Sequence, residues 1–380
     1  MTQFYITLII LFFSLFLSGW SNTKTEDSNN SPTLKEIFKD NFHFGTALNL
    51  SHIDGTDKPG LKIVRNHFSS IVAENCMKSM YLQPSEGVFF FDEADKFVEF
   101  GEQNNMHIVG HTLIWHSQAP SWFFTDKDGN EISAEQLKER MRNHIQTIVS
   151  RYKGRIHGWD VVNEAIEDNG EFRKSKFYQI LGEDFIPLAF QYAHEADPDA
   201  ELYYNDYNEW HQGKRETIVR LVGTLKKRGI RIDGVGMQGH VGMSYPTLEE
   251  YQAAIVAYTD AGVKVMITEF DMSALPTFQR NVGANISDTE DYQDKMNPYR
   301  ETLPDSVMTE WKNRMIDFFN LFIHNSDKIS RVTMWGVTDG DSWKNNYPIR
   351  GRTDYPLLFD RAYNAKPVVQ EIINMTYEAK

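Results

Sequence analysis

The chain has 380 residues, of which 41% are hydrophobic and 24% charged, and its formal net charge is -14. This length allows either several domains or one large α/β barrel, and the composition is ordinary for a soluble protein with a substantial core. The negative charge argues against nucleic acid or an anionic membrane surface as a partner, because both attract positive charge. The single cysteine, Cys76, excludes an intramolecular disulfide, and we interpret it as a buried thiol without a catalytic role.

Residues 1–20 have the pattern of a signal peptide. Ile6–Leu17 is an almost purely apolar run, as long as the apolar core of a signal peptide and too short for a membrane span. The segment Leu17–Trp20 resembles a bacterial lipoprotein cleavage box, but Trp20 stands where the lipidated cysteine would be. We therefore predict export in a bacterium, to a secreted, periplasmic or cell-surface location, with no stable membrane insertion after cleavage. The mode of anchoring stays open.

Residues 21–32 are polar and rich in turn-forming residues, which predicts a flexible linker. From residue 33 to 378 we find no second linker, low-complexity tract or repeat of solenoid length, so this range is predicted to be a single domain.

Short β-branched or apolar segments alternate with amphipathic stretches such as Glu135–Tyr152 and Thr217–Arg228. The candidate strands are Phe44–Leu48, Ser70–Ala73, Ile108–Leu113, Gly158–Val162, Glu201–Tyr204, Gly234–Met237, Val263–Thr268 and Arg331–Gly336. Eight strands that alternate with helices predict an α/β fold, the (β/α)8 TIM barrel. An open doubly wound sheet is the alternative, but it favours a Gly-rich phosphate turn after the first strand, which Gly45-Thr46-Ala47 does not supply.

The longest irregular stretch, Leu275–Thr309, follows the seventh candidate strand and contains prolines, many charges and an Asn-rich patch. Long loops at the carboxyl ends of barrel strands often form active-site walls. A solvated excursion without function is the other interpretation.

Polar side chains cluster where the candidate strands end, and on a barrel these ends converge on one cleft. In strand order they are Glu74, Asn75 and Lys78; His111, Trp115, His116 and Gln118; Asn163 and Glu164; Asn205 and Asp206; Gln238 and His240; Glu269 and Asp271; and Trp335. Folding alone does not explain such a lining, since buried charges cost free energy unless they are paired.

Two carboxyl groups from different strands are the machinery of glycoside hydrolysis, in which one must be protonated and the other ionised. The candidates are Glu74, Asp160, Glu164, Asp206, Glu269, Asp271 and Asp339. Position favours Glu164 and Glu269 as the pair but leaves structural ion pairing open. We interpret Asp160 and Asp206 as structural.

The three histidines His111, His116 and His240 could be core residues or, with nearby carboxylates, metal ligands. The chain has no H-E-x-x-H or comparable ligand spacing. We predict neither a catalytic metal nor another cofactor.

The chain resembles glycoside hydrolase family 10, whose best-known members are endo-β-1,4-xylanases. The resemblance runs from about Thr33 to Met375. The motifs that carry it are GTALN, AENCMK, GHTLIWHSQAPSWF, WDVVNEAI, YYNDYN, GVGMQGH, VMITEFDM, TMWGVTDGDSWKN and LLFDRAYNAKP, which occur in that order. It implies that residues 33–378 form a catalytic domain that hydrolyses internal β-1,4-xylosidic linkages of xylan with retention of configuration.

The resemblance also implies a role for each matched residue. Glu164 corresponds to the general acid/base and Glu269 to the nucleophile. Asn163 corresponds to the residue that binds the sugar 2-hydroxyl, and His240 with Asp271 to the pair that supports the nucleophile. The remaining matches are Gln238 beside the acid/base, the glycone-binding residues Glu74, Asn75, Lys78, His111, Trp115 and Gln118, and the aromatic platform Trp335 and lid Trp343, which disfavours a hydroxymethyl group on the sugar.

Three alternatives remain. The same machinery could act on cellulosic or mixed-linkage β-glucan, or the barrel could bind glycans without catalysis. An isomerase or aldolase would need a Schiff-base lysine or a phosphate site, and Lys78 is the only cation among the matched motif residues considered. We expect xylan or xylo-oligosaccharide as the binding partner and a monomeric protein.

Overall fold

The computed structural model describes residues 32–276 and 296–378, and the compact unit within this part of the chain begins at Thr33. The predicted signal peptide and all but the last residue of the predicted linker lie outside the described residues, as does most of the first half of the irregular stretch 275–309. Within the described part, none of the helices combines the length and apolar character needed to cross a bilayer.

Eight parallel strands close into a barrel. The described residues contain nine strands, all of which except β7 belong to the barrel: β1 His43–Leu48, β2 Ser70–Ala73, β3 His107–Trp115, β4 Gly158–Asn163, β5 Glu201–Asp206, β6 Gly234–Met237, β7 His240–Gly242, β8 Lys264–Ser273 and β9 Ile329–Met334. Each of β1 to β5 pairs with the next, β6 pairs with β8, β8 with β9, and β9 with β1. The short strand β7 is an addition that pairs only with the end of β8. The predicted (β/α)8 barrel is confirmed.

Helices pack around the outside of the barrel. They are α1 Leu34–Ile37, α2 Leu50–Ile53, α3 Lys58–His67, α4 Ser79–Leu82, α5 Asp92–Gln103, α6 Ala134–Arg151, α7 Lys176–Leu181, α8 Phe185–Ala196, α9 Gln212–Lys227, α10 Leu248–Asp260, α11 Asp305–His324 and α12 Pro367–Glu378. Capping boxes begin two of the long ones, with Ser133 and Gln136 at α6 and Thr247 and Glu250 at α10. Their apolar faces and the outward side chains of the strands form the main core.

The predicted strands all occur, with changes at their ends. The third and seventh predicted strands extend further than expected, to Trp115 and Ser273, so Glu269 and Asp271 lie inside β8 rather than after it. The extension of β8 has a physical cause, because β7 supplies backbone partners for Asp271 to Ser273. The prediction that the irregular stretch runs to Thr309 is wrong, since α11 begins at Asp305.

The barrel interior is filled by a separate small cluster, in which Trp343 packs against the buried residues Ala47, Val72, Val109, Tyr203, Met266 and Trp335. At the amino-terminal end of the strands, the His107 ring lies between the rings of His43 and His157, with both ring centroids 4.6 Å away. Burial, with Arg331 and the two neighbouring histidines, lowers the pKa of His107 to about 2. The His107 ring is therefore a neutral packing group at the end of the barrel opposite the polar cluster.

Candidate active site

The polar residues predicted to converge do so at the carboxyl ends of the strands. Asn163 ends β4 and Glu164 follows it, Asn205 lies on β5, and Glu269 lies on β8. Both glutamates are almost fully buried, with relative exposures of 6% and 5%. Two buried carboxyl groups that face one cleft must differ in protonation, because like charges at close range cannot both be ionised without cost.

The backbone at Glu164 is in the left-handed region, with φ of 57°, which is unfavourable for a residue that carries a Cβ atom. Hydrogen bonds to its backbone N–H and carbonyl groups hold Glu164 in this conformation. The Glu164 N–H donates to the Asn205 carbonyl at 2.9 Å, and the Arg173 side chain donates to the Glu164 carbonyl at 2.9 Å. The next N–H, that of Ala165, donates to the Tyr204 hydroxyl at 3.1 Å. This turn directs the Glu164 carboxyl group towards Trp115 and Gln238.

Each oxygen of the Glu164 carboxyl group accepts one hydrogen bond. The indole N–H of Trp115 donates to Oε2 at 2.8 Å, and the amide of Gln238 donates to Oε1 at 2.9 Å. Burial raises the pKa of Glu164, with the nearby carboxylates of Asp206 and Glu269 adding to the rise, and the two hydrogen bonds only partly oppose it. Glu164 therefore retains a proton to higher pH than an ordinary glutamate, as a general acid requires.

The Glu269 carboxyl group has the opposite electrostatic environment. Burial acts to raise its pKa, but the hydrogen bond from His240 and the electrostatic interactions with His111, His240 and Lys78 lower the pKa below its ordinary value. Asn205 also donates to Glu269 Oε1 at 2.9 Å, and the Nε2 atom of His240 lies 3.3 Å from Oε2. Glu269 is thus held ionised, as a nucleophile requires.

A chain of side-chain amides links the two carboxyl groups. The Asn163 carbonyl oxygen accepts from the Asn205 amide at 2.9 Å and from the Gln238 amide at 3.3 Å. The same two amides bond Glu269 and Glu164 respectively. Because Asn163 accepts both of these bonds through its carbonyl oxygen, its own NH2 group is left to face other partners.

His240 and Asp271 form an ion pair beside Glu269. The Nδ1 atom of His240 lies 3.0 Å from Asp271 Oδ1. Burial acts to lower the pKa of His240, but Asp271 and Glu269 raise it to about 9. The imidazole is therefore protonated at neutral pH and places a positive charge against Glu269. His240 and Asp271, which the resemblance had paired, are thus in contact.

The predicted glycone-binding residues lie at the ends of β2 and β3. The Lys78 ammonium group donates to the Asn75 side chain at 3.1 Å and lies 5.0 Å from the centroid of the Trp115 ring. Burial lowers the pKa of Lys78, although Glu269, Glu74 and Glu164 oppose the shift. Burial raises the pKa of Glu74. The side-chain oxygen of Gln118 is buried and has no hydrogen-bond partner within the described residues, so it is a free acceptor.

The remaining predicted side chains form the aromatic part of the site. The His111 ring meets the Trp335 ring edge-on at 5.4 Å, and its Nδ1 atom is 2.9 Å from Asp160. Trp335 is only 7% exposed, whereas Trp343 is half-buried and lies 5.1 Å from the His240 ring. The position of Asp160 behind His111 agrees with its interpretation as structural.

Asp206 also lies behind the site, as expected of a structural residue. Its Oδ1 atom is 2.9 Å from the Lys214 ammonium group, and its Oδ2 atom accepts from the Tyr204 hydroxyl at 2.5 Å. Both Asp206 and Lys214 are fully buried. His116 is neutral, since burial lowers its pKa to about 3. Burial raises the pKa of Cys76 to about 12, so its thiolate is not available for chemistry.

Within residues 32–276 and 296–378, one group of three side chains lies close enough together to hold a metal ion. It consists of His52, Asp57 and Asp341, in the segments after β1 and β9. Its carboxylates already accept hydrogen bonds, for example from the Gly60 and Thr338 backbones. The cluster contains neither Glu164 nor Glu269, so it gives the carboxyl pair no metal.

Two residues of the site were not assigned by the sequence. Asn205 was noted only as the end of a strand, and Lys344, whose ammonium group lies 3.2 Å from Asp271 Oδ1, was not noted at all. The parallel register pairs Asn163 with Asn205. Equivalent positions on neighbouring strands were thus the available signal for Asn205. No comparable signal exists for Lys344, which is brought in by the segment after β9.

Two buried carboxyl groups with opposite pKa shifts, at the carboxyl ends of two strands of a (β/α)8 barrel, are the arrangement that glycoside hydrolases use. A family model described as Glycosyl hydrolase family 10 matches residues 33–375. The chain is therefore a member of glycosyl hydrolase family 10, which confirms the resemblance drawn from its motifs.

Similar proteins agree with this assignment. The chain is 49% identical over 348 residues to endo-1,4-beta-xylanase A of Xylanibacter ruminicola, covering 92% of this chain and 94% of that protein. It is 41% identical over 347 residues to an endo-1,4-beta-xylanase of Geobacillus stearothermophilus, covering 90% and 98%. Among solved structures, a family 10 endoxylanase from a sugarcane soil metagenome superposes with a TM-score of 0.86 at 43% identity, covering 90% of this chain and 99% of that one.

Proposed function

We propose that the protein is an endo-1,4-β-xylanase that cleaves internal xylosidic linkages with retention of configuration. The observation that carries the proposal is the opposite pKa shift of the two buried glutamates, upward for Glu164 and downward for Glu269. Membership of the family and the xylanase activity named for both relatives support the choice of substrate.

In the first step, the ionised Glu269 attacks the anomeric carbon of the bound xylose unit while Glu164 gives its proton to the departing glycosidic oxygen. A C–O bond to Glu269 forms as the glycosidic C–O bond breaks, and the electron pair of that bond leaves with the protonated oxygen. Formation of the ester bond removes the negative charge of Glu269, so its contribution to the raised pKa of Glu164 is lost, and Glu164 is left as a carboxylate. Glu164 can now act as a base.

In the second step, water attacks the anomeric carbon while Glu164 takes its proton, and Glu269 departs as a carboxylate. We propose that Asn163 binds the 2-hydroxyl group of the reacting sugar, using the NH2 group that its bonds to Asn205 and Gln238 leave available. His240 would support the returning negative charge on Glu269. Such bonds accelerate the reaction only if they strengthen in the transition state.

We propose that Glu74, Asn75, Lys78, His111, Trp115 and Gln118 bind the glycone side of the xylan chain, with Trp335 beneath the sugar and Trp343 as the lid. Aromatic faces suit the C–H face of a pyranose, and buried polar groups suit its hydroxyls. A hydroxymethyl group pressed against Trp343 would cost about 1–3 kcal/mol. The proposed site therefore favours xylose chains over glucose chains.

We also propose that the protein is exported through residues 1–20 as a signal peptide and acts outside the cytoplasm as a monomer. Polymeric xylan is too large to cross a membrane unaided, so action on the polymer fits an exported enzyme. The apolar run at positions 6–17 supports export. N-terminal sequencing of the mature secreted protein tests the cleavage site, and light scattering tests the oligomeric state.

The test of the function is reducing-sugar release from soluble xylan and from β-glucan by wild type, Glu269→Ala and Glu164→Ala. A matched control is Glu102→Ala, since Glu102 pairs with Arg155 on the outer surface. We expect activity on xylan in wild type and control, and its loss in both active-site variants. Azide should rescue Glu269→Ala as an α-glycosyl azide and Glu164→Ala as a β-glycosyl azide.

Each other result has a definite meaning. Release from β-glucan alone would refute xylan as the substrate and keep the mechanism. Binding of both polymers with no release from either would refute the enzyme and favour a glycan-binding protein. An inverted product, followed by NMR of the nascent anomer, would refute Glu269 as the nucleophile.

A further inference from the structure

Lys344 is a buried lysine that faces the support of the predicted nucleophile. It follows Trp343 in a short 3-10 helix, Trp343–Asn346, which Ser342 caps through a 3.2 Å hydrogen bond from the Lys344 N–H. Its ammonium group lies 3.2 Å from Asp271 Oδ1 and 5.0 Å from the centroid of the Trp343 ring. A lysine buried to this degree costs free energy unless a carboxylate compensates its charge.

Three groups meet at the Asp271 carboxylate. Oδ1 lies 3.0 Å from the His240 imidazole and 3.2 Å from the Lys344 ammonium group. Oδ2 accepts a 2.9 Å hydrogen bond from the indole N–H of Trp343. Asp271 therefore connects the lid, the imidazole beside Glu269 and a buried cation. Of these neighbours, Lys344 reaches the site through the Asp271 carboxylate and the Trp343 ring.

We infer that Lys344 is a positioning residue for the reaction: its ammonium group holds the Asp271 carboxylate in place, and Asp271 in turn orients the His240 imidazole against Glu269. The inference rests on the proposed function, because it assigns the pair a part in glycoside hydrolysis. Lys344 acts through Asp271 and His240 and makes no contact with the reacting bond. Its charge balances that of Asp271, which leaves the charge of His240 to balance Glu269.

The charges around this group come from several elements. Lys344 is faced by Asp271 of β8, Tyr245 after β7, and Asp354 and Arg352 after β9. Glu269 is faced by His240, His111 and Lys78. Burial acts to lower the pKa of Lys344, but Asp271, Tyr245 and Asp354 raise it above its ordinary value. Lys344 is therefore charged across the working range of the enzyme.

Removal of this charge leaves Glu269, Asp271 and His240 with one excess negative charge between them. The group then takes up a proton at higher pH than in wild type, because a nearby positive charge that favoured the ionised carboxylates is gone. The proton taken up inactivates the enzyme if it reaches Glu269. The acidic limb of the kcat/KM profile, which reports the ionised nucleophile of the free enzyme, should therefore move upward.

The experiment measures the pH dependence of kcat/KM on an aryl β-xylobioside for wild type, Lys344→Met, Lys344→Gln and Lys344→Arg. The matched control is Lys366→Met, since Lys366 is also buried and pairs with a carboxylate, Asp339 at 2.9 Å, that does not contact His240 or Glu269. Thermal unfolding is recorded for each variant. The Gln variant keeps a hydrogen-bond donor but removes the charge, so it decides the question if the Met variant does not fold.

We expect the acidic limb to rise by about one pH unit in Lys344→Met and Lys344→Gln. It should stay at the wild-type position in Lys344→Arg and in Lys366→Met, even where Lys366→Met lowers the unfolding temperature. An active wild type with an unmoved acidic limb in the folded neutral variants would overturn this inference alone. A wild type that cleaves neither xylan nor the xylobioside would overturn the proposed function first, and this inference with it.

Discussion

The hydrogen bond from Asn205 to Glu269 makes a quantitative prediction for the variant Asn205→Ala. The Asn205 amide donates to Glu269 Oε1 and to Asn163 Oδ1, both at 2.9 Å, and its own carbonyl accepts from Thr268 at 2.6 Å. The bond to Glu269 is made to a charged acceptor, so its removal disfavours the ionised form of the nucleophile. The pKa of Glu269 should therefore rise.

A hydrogen bond to a charged group contributes about 1.5–3 kcal/mol, and about 1.4 kcal/mol corresponds to one pKa unit. The pKa of Glu269 should thus rise by about one to two units in Asn205→Ala. Glu269 acts as the carboxylate in the proposed mechanism, so the acidic limb of kcat/KM should move to higher pH by the same amount. Above that limb the loss should be smaller, because only the placement of Asn163 is then affected.

The assay is the pH profile of kcat/KM on an aryl β-xylobioside, with thermal unfolding as a check on folding. Thr268→Val is the matched control, because it removes the hydroxyl that bonds the Asn205 carbonyl and leaves the bond to Glu269 in place. Its acidic limb should move by less than about half a unit. A folded Asn205→Ala enzyme with the wild-type acidic limb would refute the argument that this bond holds Glu269 ionised.

Three further predictions concern stability. Lys214→Met leaves the fully buried Asp206 without its 2.9 Å partner and should lower the free energy of unfolding by about 3–5 kcal/mol at pH 7; an unchanged denaturation midpoint would contradict this. Glu209 is fully buried, neither of its carboxyl oxygens has a hydrogen-bond partner among the described residues, and burial raises its pKa from 4.5 to about 8. The unfolded glutamate loses its proton at lower pH than the folded one, so wild type loses stability as the pH rises between those two values. The stability of Glu209→Gln relative to wild type should therefore increase from pH 4.5 to 8. A stability difference that does not change with pH would count against this prediction. The pKa of His107 is lowered from 6.5 to about 2, so below pH 6.5 the unfolded state takes up a proton that the folded state does not. The free energy of unfolding of His107→Phe should therefore fall less steeply with decreasing pH than that of wild type, by up to about 1.4 kcal/mol per pH unit. The same pH dependence of the free energy of unfolding in both proteins would exclude this.

Much of the fold and the site follows from local sequence pattern. The strands were predictable because buried parallel strands are short β-branched or apolar runs, and their polar ends were predictable because ligands bind at the carboxyl ends of barrel strands. The roles of individual carboxyl groups came from the resemblance to a family, since position favoured Glu164 and Glu269 as the pair but left structural ion pairing open. Their environments separate them, and an environment depends on contacts between distant segments.

What could not be predicted has the same origin. Lys344 reaches Asp271 only because the segment after β9 folds over β8, and Asn205 reaches Glu269 only because of strand register and side-chain direction. The left-handed backbone of Glu164 contradicts the ordinary preference of glutamate. Such a conformation is imposed by surrounding bonds, and no local sequence pattern reports it.

That conformation has an evolutionary consequence. A residue with a side chain at φ of 57° is less stable than glycine would be in the same place. Under the proposed mechanism, most replacements of Glu164 abolish catalysis, but a replacement by glycine also removes the unfavourable backbone conformation. In a lineage that no longer needed the reaction, replacement of Glu164 by glycine would therefore be favoured because it stabilises the fold. Continued presence of glutamate at this strained position is a cost that only selection for activity sustains.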